Sequence, residues 1–133
     1  MISKHLNFLF FTALVLIYLH GLEEIFTGFQ HVDSFMKFGG DIFNISAVNF
    51  YWASHLLWWL AIPIIFVIFK KKSIILPLLA LFGTVFFIEI HHLIKALLAQ
   101  SYYPGMITAF FYPILGIYFY KEVVRNWRNK SVR

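Results

Sequence analysis

A chain of 133 residues that is 61% hydrophobic, 21% aromatic and only 13% charged lies outside the range of water-soluble domains, in which about a quarter of residues are charged. This is the composition of an all-α integral membrane protein, and the lack of cysteine excludes disulfides and thiolate metal ligands. The net charge of +5 does not argue for nucleic acid, because the basic residues are segregated as membrane topology requires.

Four apolar stretches, at about residues 6–26, 47–69, 74–99 and 103–120, are each long enough to cross a hydrocarbon layer of ~30 Å at 1.5 Å per residue. They predict a four-transmembrane-helix up-and-down bundle forming a single integral membrane domain over 1–133. A lone Lys4 before an apolar core also opens signal peptides, but no small-residue cleavage site follows it. The first helix ends in His20-Gly21-Leu22-Glu23-Glu24. Gly28 reads as its stop. The outer loop 27–46 mixes polar residues (Gln30, His31, Asp33, Lys37, Asp41) with Phe29, Val32, Phe35, Met36 and Phe38. That pattern fits an interfacial segment or a lid over a site below it.

The second helix carries His55 near its start and Pro63 in its far half, where a kink is expected. Lys70-Lys71-Lys72 forms a basic turn. The third helix tolerates Pro77 in its early turns and concentrates Glu89, His91, His92 and Lys95 towards its end. The fourth opens with Tyr102-Tyr103-Pro104-Gly105, where proline fits a helix start, and gives way to a basic cytoplasmic tail at 121–133. Nine of the eleven Lys and Arg residues fall at the N-terminus, the 2–3 turn or this tail. The positive-inside rule therefore places both termini in the cytoplasm and the 1–2 and 3–4 loops outside.

Antiparallel helices turn these positions into a depth map. His20, Glu23 and Glu24 near the end of helix one, His55 near the start of helix two, and Glu89 and His92 near the end of helix three converge on one layer in the outer half. Each carboxylate carried into lipid costs on the order of 2.5–3.5 kcal/mol unless compensated. Lys95 is expected to offset one at best. A divalent metal, zinc or iron as one or two ions, would offset the rest, with His20, Glu23, Glu24, His55, Glu89 and His92 as ligands. Glu24 doubles as a candidate general base and Tyr103 as a stabiliser of developing charge, while His91 leaves its helix nearly opposite Glu89 and is assigned a supporting hydrogen bond. The spacing Glu89-x-x-His92 matches one element of four-helix di-iron carboxylate proteins, although here three carboxylates meet three histidines and the fourth helix supplies none.

His20-Gly21-Leu22-Glu23-Glu24, with His55, with Glu89, His91 and His92, and with Tyr102, Pro104, Gly105 and Thr108, resembles the HXXEE family of small bacterial integral membrane proteins. The resemblance implies a bacterial cell-membrane protein with a metal-type polar site and no established reaction. From the residues, the leading expectation is a membrane-embedded metalloenzyme acting on a lipid-like or apolar substrate by oxidation, hydroxylation or hydrolysis. A metal-free acid/base lipid isomerase and an ion- or metal-binding or transport protein are the alternatives. The lipid bilayer is the expected partner, nucleic acid is not, and an oligomer is left open.

Overall fold

The computed structural model describes residues 2–131. Four helical stretches are long and apolar enough to cross a membrane: Lys4–Thr27, Ala47–Phe69, Ile75–Ala99 and Met106–Asn129. They form an all-α up-and-down bundle. The first span is α1 (Lys4–Thr27), and α2 (Phe29–Val32) and α3 (Ser34–Phe43) occupy the connection to the second, α4 (Ala47–Phe69). The third span is broken into α5 (Ile75–Phe82), α6 (Val85–Ile88) and α7 (Ile90–Ala99), and the fourth into α8 (Met106–Ala109) and α9 (Phe111–Ser131). The stretch expected to be a basic tail is helical and continues α9 to Ser131.

Each start has a local cause. Ser3 and Ser46 cap α1 and α4 by accepting the backbone N–H of Leu6 and Asn49, and Asp33 caps α3 by accepting those of Phe35 and Met36. α1 ends at Gly28, whose left-handed backbone (φ 80°) suits the only residue without a Cβ penalty there. The buried residues of α1 are Leu6, Leu9, Phe10, Ala13, Leu14, Ile17, His20, Gly21 and Glu24. Spacings of three and four along this series make a single stripe, so the face that packs the bundle also carries His20 and Glu24. Glu23 lies off it.

The breaks expose carbonyls, and side chains from neighbouring spans take them. Pro63 cannot donate to Trp59, and the Trp59 carbonyl accepts the Tyr18 hydroxyl at 2.8 Å. The interruption at Gly83–Thr84 tightens the chain, with Thr84 N–H bonding to Leu81 O, and the Ala80 carbonyl accepts the Tyr120 hydroxyl at 2.7 Å. The first described residues of α1 and the last turns of α9 lie at one end of the bundle. Ser3 N–H donates to Asn126 Oδ1 at 2.7 Å, and Lys70 and Lys71 sit beside Ser3, Lys4 and Asn7. This basic end is closed by an apolar core in which Phe10 stacks on Phe66 at 3.8 Å and Phe86 meets Phe119 at 5.2 Å.

Candidate metal centre

At the opposite end, His20, Glu24, Glu89 and His92 each offer one ligand atom, and these atoms lie within 4.8 Å of one another. His20 Nε2 is 3.1 Å from Glu89 Oε2 and 3.6 Å from Glu24 Oε1. His92 Nε2 is 3.1 Å from Glu89 Oε2 and 3.3 Å from Glu24 Oε1. Two nitrogens and two oxygens thus alternate around a small void. Ligands held at ~2.0–2.1 Å by a tetrahedral ion stand about 3.3 Å apart, and the four nitrogen–oxygen separations lie close to that value.

The outward nitrogens fix the tautomers. His92 Nδ1 lies 2.5 Å from the Pro104 carbonyl, and His55 Nδ1 lies 2.9 Å from the Tyr51 carbonyl. A carbonyl only accepts, so both Nδ1 atoms carry the proton. His20 Nδ1 is 2.7 Å from Thr108 Oγ1, whose own proton goes to Glu23 Oε2 at 2.5 Å, so this Nδ1 donates too. All three Nε2 atoms face carboxylates: His20 Nε2 is at hydrogen-bond distance from Glu89 Oε2 (3.1 Å), and His55 Nε2 lies 3.1 Å from Glu24 Oε2. Nitrogens this close to carboxylates need a positive charge between them, which either a proton on Nε2 or a metal ion supplies. His92 Nε2 is fully buried and has no hydrogen-bond partner, although Glu89 and Glu24 approach it at ion-pair distance. An imidazole anchored through Nδ1–H with Nε2 left bare is the arrangement of a metal-ligating histidine.

The surrounding residues explain how this geometry is held. Tyr51 donates its hydroxyl to Glu24 Oε2 at 3.1 Å, and its ring stacks on His55 at 3.8 Å. Tyr112 sets its ring edge-on to His20 at 5.2 Å. Gly105 adopts φ 85°, and a Cβ there would stand 2.7 Å from His92 and 2.8 Å from His20. Only glycine meets both demands, the positive φ and the close approach. A turn tightened by a His92 N–H bond to Glu89 O separates α6 from α7 and lets both side chains reach the cluster.

Other expected site residues are placed differently. Glu23 takes the backbone N–H groups of Ile107 (3.0 Å) and Thr108 (2.8 Å) and the hydroxyl of Tyr102 (2.7 Å). It acts as the cap of a helix whose own cap position, Gly105, has no side chain. Lys95 does not offset a cluster carboxylate; it pairs with Asp33, which is fully buried. Tyr103 donates to the same Asp33 oxygen at 2.8 Å, so its hydroxyl points away from the cluster. Burial works against the charged form of Asp33, but Lys95, Tyr103 and the Met36 N–H outweigh it and hold this carboxyl below its usual range. Burial and the Asp33 charge push the Tyr103 hydroxyl up. His91 bonds the Ile88 carbonyl through Nδ1 at 3.0 Å. Tyr51 and Tyr112 were not singled out by sequence, although Tyr51 lies one helical turn before His55.

Residues 11–120 match the model of a family described as a protein of unknown function with HXXEE motif. The chain belongs to this family. No curated protein and no solved structure matches it. In this HXXEE protein the motif letters divide their work: His20 and Glu24 point into the cluster, while Glu23 caps the fourth span.

Proposed function

We propose that this HXXEE protein is a metal-dependent membrane enzyme in which His20, Glu24 and His92 hold one divalent ion and Glu89 serves as the fourth ligand or as a base beside it. The observation that carries the reading is the buried Nε2 of His92, which has no hydrogen-bond partner of its own and lies 3.1 and 3.3 Å from two carboxylates on an imidazole whose other nitrogen is already committed. Two carboxylates and three neutral imidazoles also balance one divalent charge, which favours a single ion. An ion bound there supplies Lewis acidity and activates water or oxygen. Glu89 is the carboxylate partly open to the adjoining cavity, with a side chain 18% exposed against 3% for Glu24, and is placed to take a proton from a reacting group. Tyr51 keeps Glu24 oriented, and Thr108 keeps His20 oriented.

The cavity beside the cluster, about 790 Å³ and mainly apolar, supports an amphiphilic, lipid-like substrate. Zinc would make the chemistry hydrolytic. The cysteine-free His/carboxylate set suits oxidation by iron as well. The nine basic residues at the end of the termini support a cytoplasmic position for that end and an outer-leaflet position for the cluster.

The test is stripping and reloading of the detergent-purified protein. Zinc or ferrous ion should raise the Tm of wild type, by an amount growing with free metal, and leave the double variant His20→Gln/His92→Gln unmoved. A wild-type Tm that follows pH but no metal would instead mean that protons occupy the cluster.

A further inference from the structure

The cavity that adjoins the cluster has a direction. Its polar lining is gathered at one end, where His20, Glu24, Asp33, Ser54, His55, Glu89 and His91 meet it. Beyond them the walls are apolar down to Phe10, Phe66, Leu78 and Phe82. The polar side chain on that stretch, Thr84, returns its hydroxyl to the Leu81 carbonyl at 2.7 Å. Phe10, stacked on Phe66 at 3.8 Å and 5.4 Å from Phe82, closes the floor. The distance from Phe10 to Glu24 along α1 is about 21 Å, and from Phe66 to His55 along α4 about 16 Å, at 1.5 Å per residue.

Its shape follows from a loosely held second span. Among the described residues of α4 only Tyr51 and Phe66 are buried. α4 packs on α3 and α2 at the cluster end, on α1 along its length and on α5 near the turn that joins spans two and three, and makes few contacts with α6 and α7. The gap beside α6 and α7 is where His55 and Glu89 face the cavity, so a molecule dissolved in the bilayer reaches the cluster sideways without crossing water.

From these features we propose that the occupant is a single unbranched acyl chain of the fatty-acid class. It lies with its methyl end on the Phe10–Phe66–Phe82 floor and its polar head beside His55 and Glu89. The volume of about 790 Å³ falls within the ~300–1,000 Å³ of sites that enclose one small ligand. The depth is roughly half to two-thirds of the ~30 Å hydrocarbon layer. One chain therefore fits and a two-chain phospholipid does not. Because lipid tails are as apolar as the walls, selectivity comes from the fit at the floor and the polar contacts at the head, not from hydrophobic transfer. The inference rests on the metal reading only for which end of the molecule reacts.

The test uses two palmitate analogues in liposomes, one with a diazirine next to the methyl end and one with it next to the carboxyl, followed by peptide mapping and metal analysis of the same samples. The methyl-end probe should label Phe66, Leu78 or Phe82, and the carboxyl-end probe the neighbourhood of His55 or Glu89. Val85→Trp, which fills the middle of the cavity, should lower floor labelling by about tenfold while metal content stays at the wild-type level. Val67→Trp, on the outward face of α4, should change neither. Reversed labelling, or equal labelling by both probes of outward residues such as Leu57 and Leu60, overturns the inference even where metal is stoichiometric. Ordered labelling without metal leaves it standing and removes the metal reading.

Discussion

The two ends of the bundle are built from the same four spans by different means. Towards the basic end the spans are held by shape, with Phe10, Phe66, Phe82, Phe86 and Phe119 packed ring against ring around the interruption at Gly83–Thr84. At the cluster end the third and fourth spans are interrupted at Glu89 and Phe110, and side chains take free backbone groups at the start of α8: Glu23 accepts the N–H groups of Ile107 and Thr108, and His92 donates to the Pro104 carbonyl. In lipid an unsatisfied backbone group costs several kcal/mol, so a break is tolerated only where a side chain answers it. Packing at one end fixes the helices, and polar satisfaction at the other spends that rigidity on a site.

If this division holds, damage to the two ends should separate. The largest loss of stability is expected from Phe10→Ala, about 3–5 kcal/mol for a buried phenylalanine, measured by unfolding in mixed micelles; folded molecules should still bind metal. Gly105→Ala should cost less, about 1–3 kcal/mol for the strained backbone, yet abolish metal binding, because its Cβ displaces His92 and His20. Stability and metal lost in proportion at both positions would erase the distinction. Glu23→Gln should remove about 1 kcal/mol of capping and keep most of the metal, which elemental analysis would report.

A smaller effect sharpens the comparison at the loop. The Asp33 carboxyl titrates below its usual value in the folded chain, so its pairing with Lys95 adds stability that is fully present above the unfolded pKa of ~3.9 and is lost as pH falls through the lower folded value. Proteolysis of the 28–46 segment should therefore accelerate on acidification below about pH 4 in wild type. In Asp33→Asn it should already be fast near neutrality and change little over the same range. The smallest effect is expected of His91→Gln, since the His91 ring bonds only a backbone carbonyl through Nδ1 and an amide can replace it.

Much of this was legible in the sequence. Hydropathy marked the four spans because a helix facing lipid must be apolar all along its length, and antiparallel counting brought His20, Glu24, His55, Glu89 and His92 to one level. The division between Glu23 and Glu24 was also written there, in the buried stripe Leu6–Phe10–Ala13–Ile17–His20–Glu24, but a motif read as a unit hides it. The breaks at Gly83 and Glu89 depend on partners far along the chain, such as Tyr120 for Ala80, and no local pattern announces them. The pairing of Lys95 with Asp33 is not legible in the sequence, because the mixed polar and apolar loop fits an interfacial segment or a lid equally and names no partner for either residue. Its α2 and α3 pack on α4, and Asp33 between them is buried against Lys95 of the third span and Tyr103 of the turn that follows it.

The most direct measurement is elemental analysis of the purified protein and four variants, with metal counted per chain. Wild type should carry one equivalent of a divalent transition metal, Glu24→Gln and His92→Gln should carry nearly none, and His5→Gln and His31→Gln, altered at exposed histidines, should match wild type. A metal-free wild type, or equal losses in all four variants, would contradict the account.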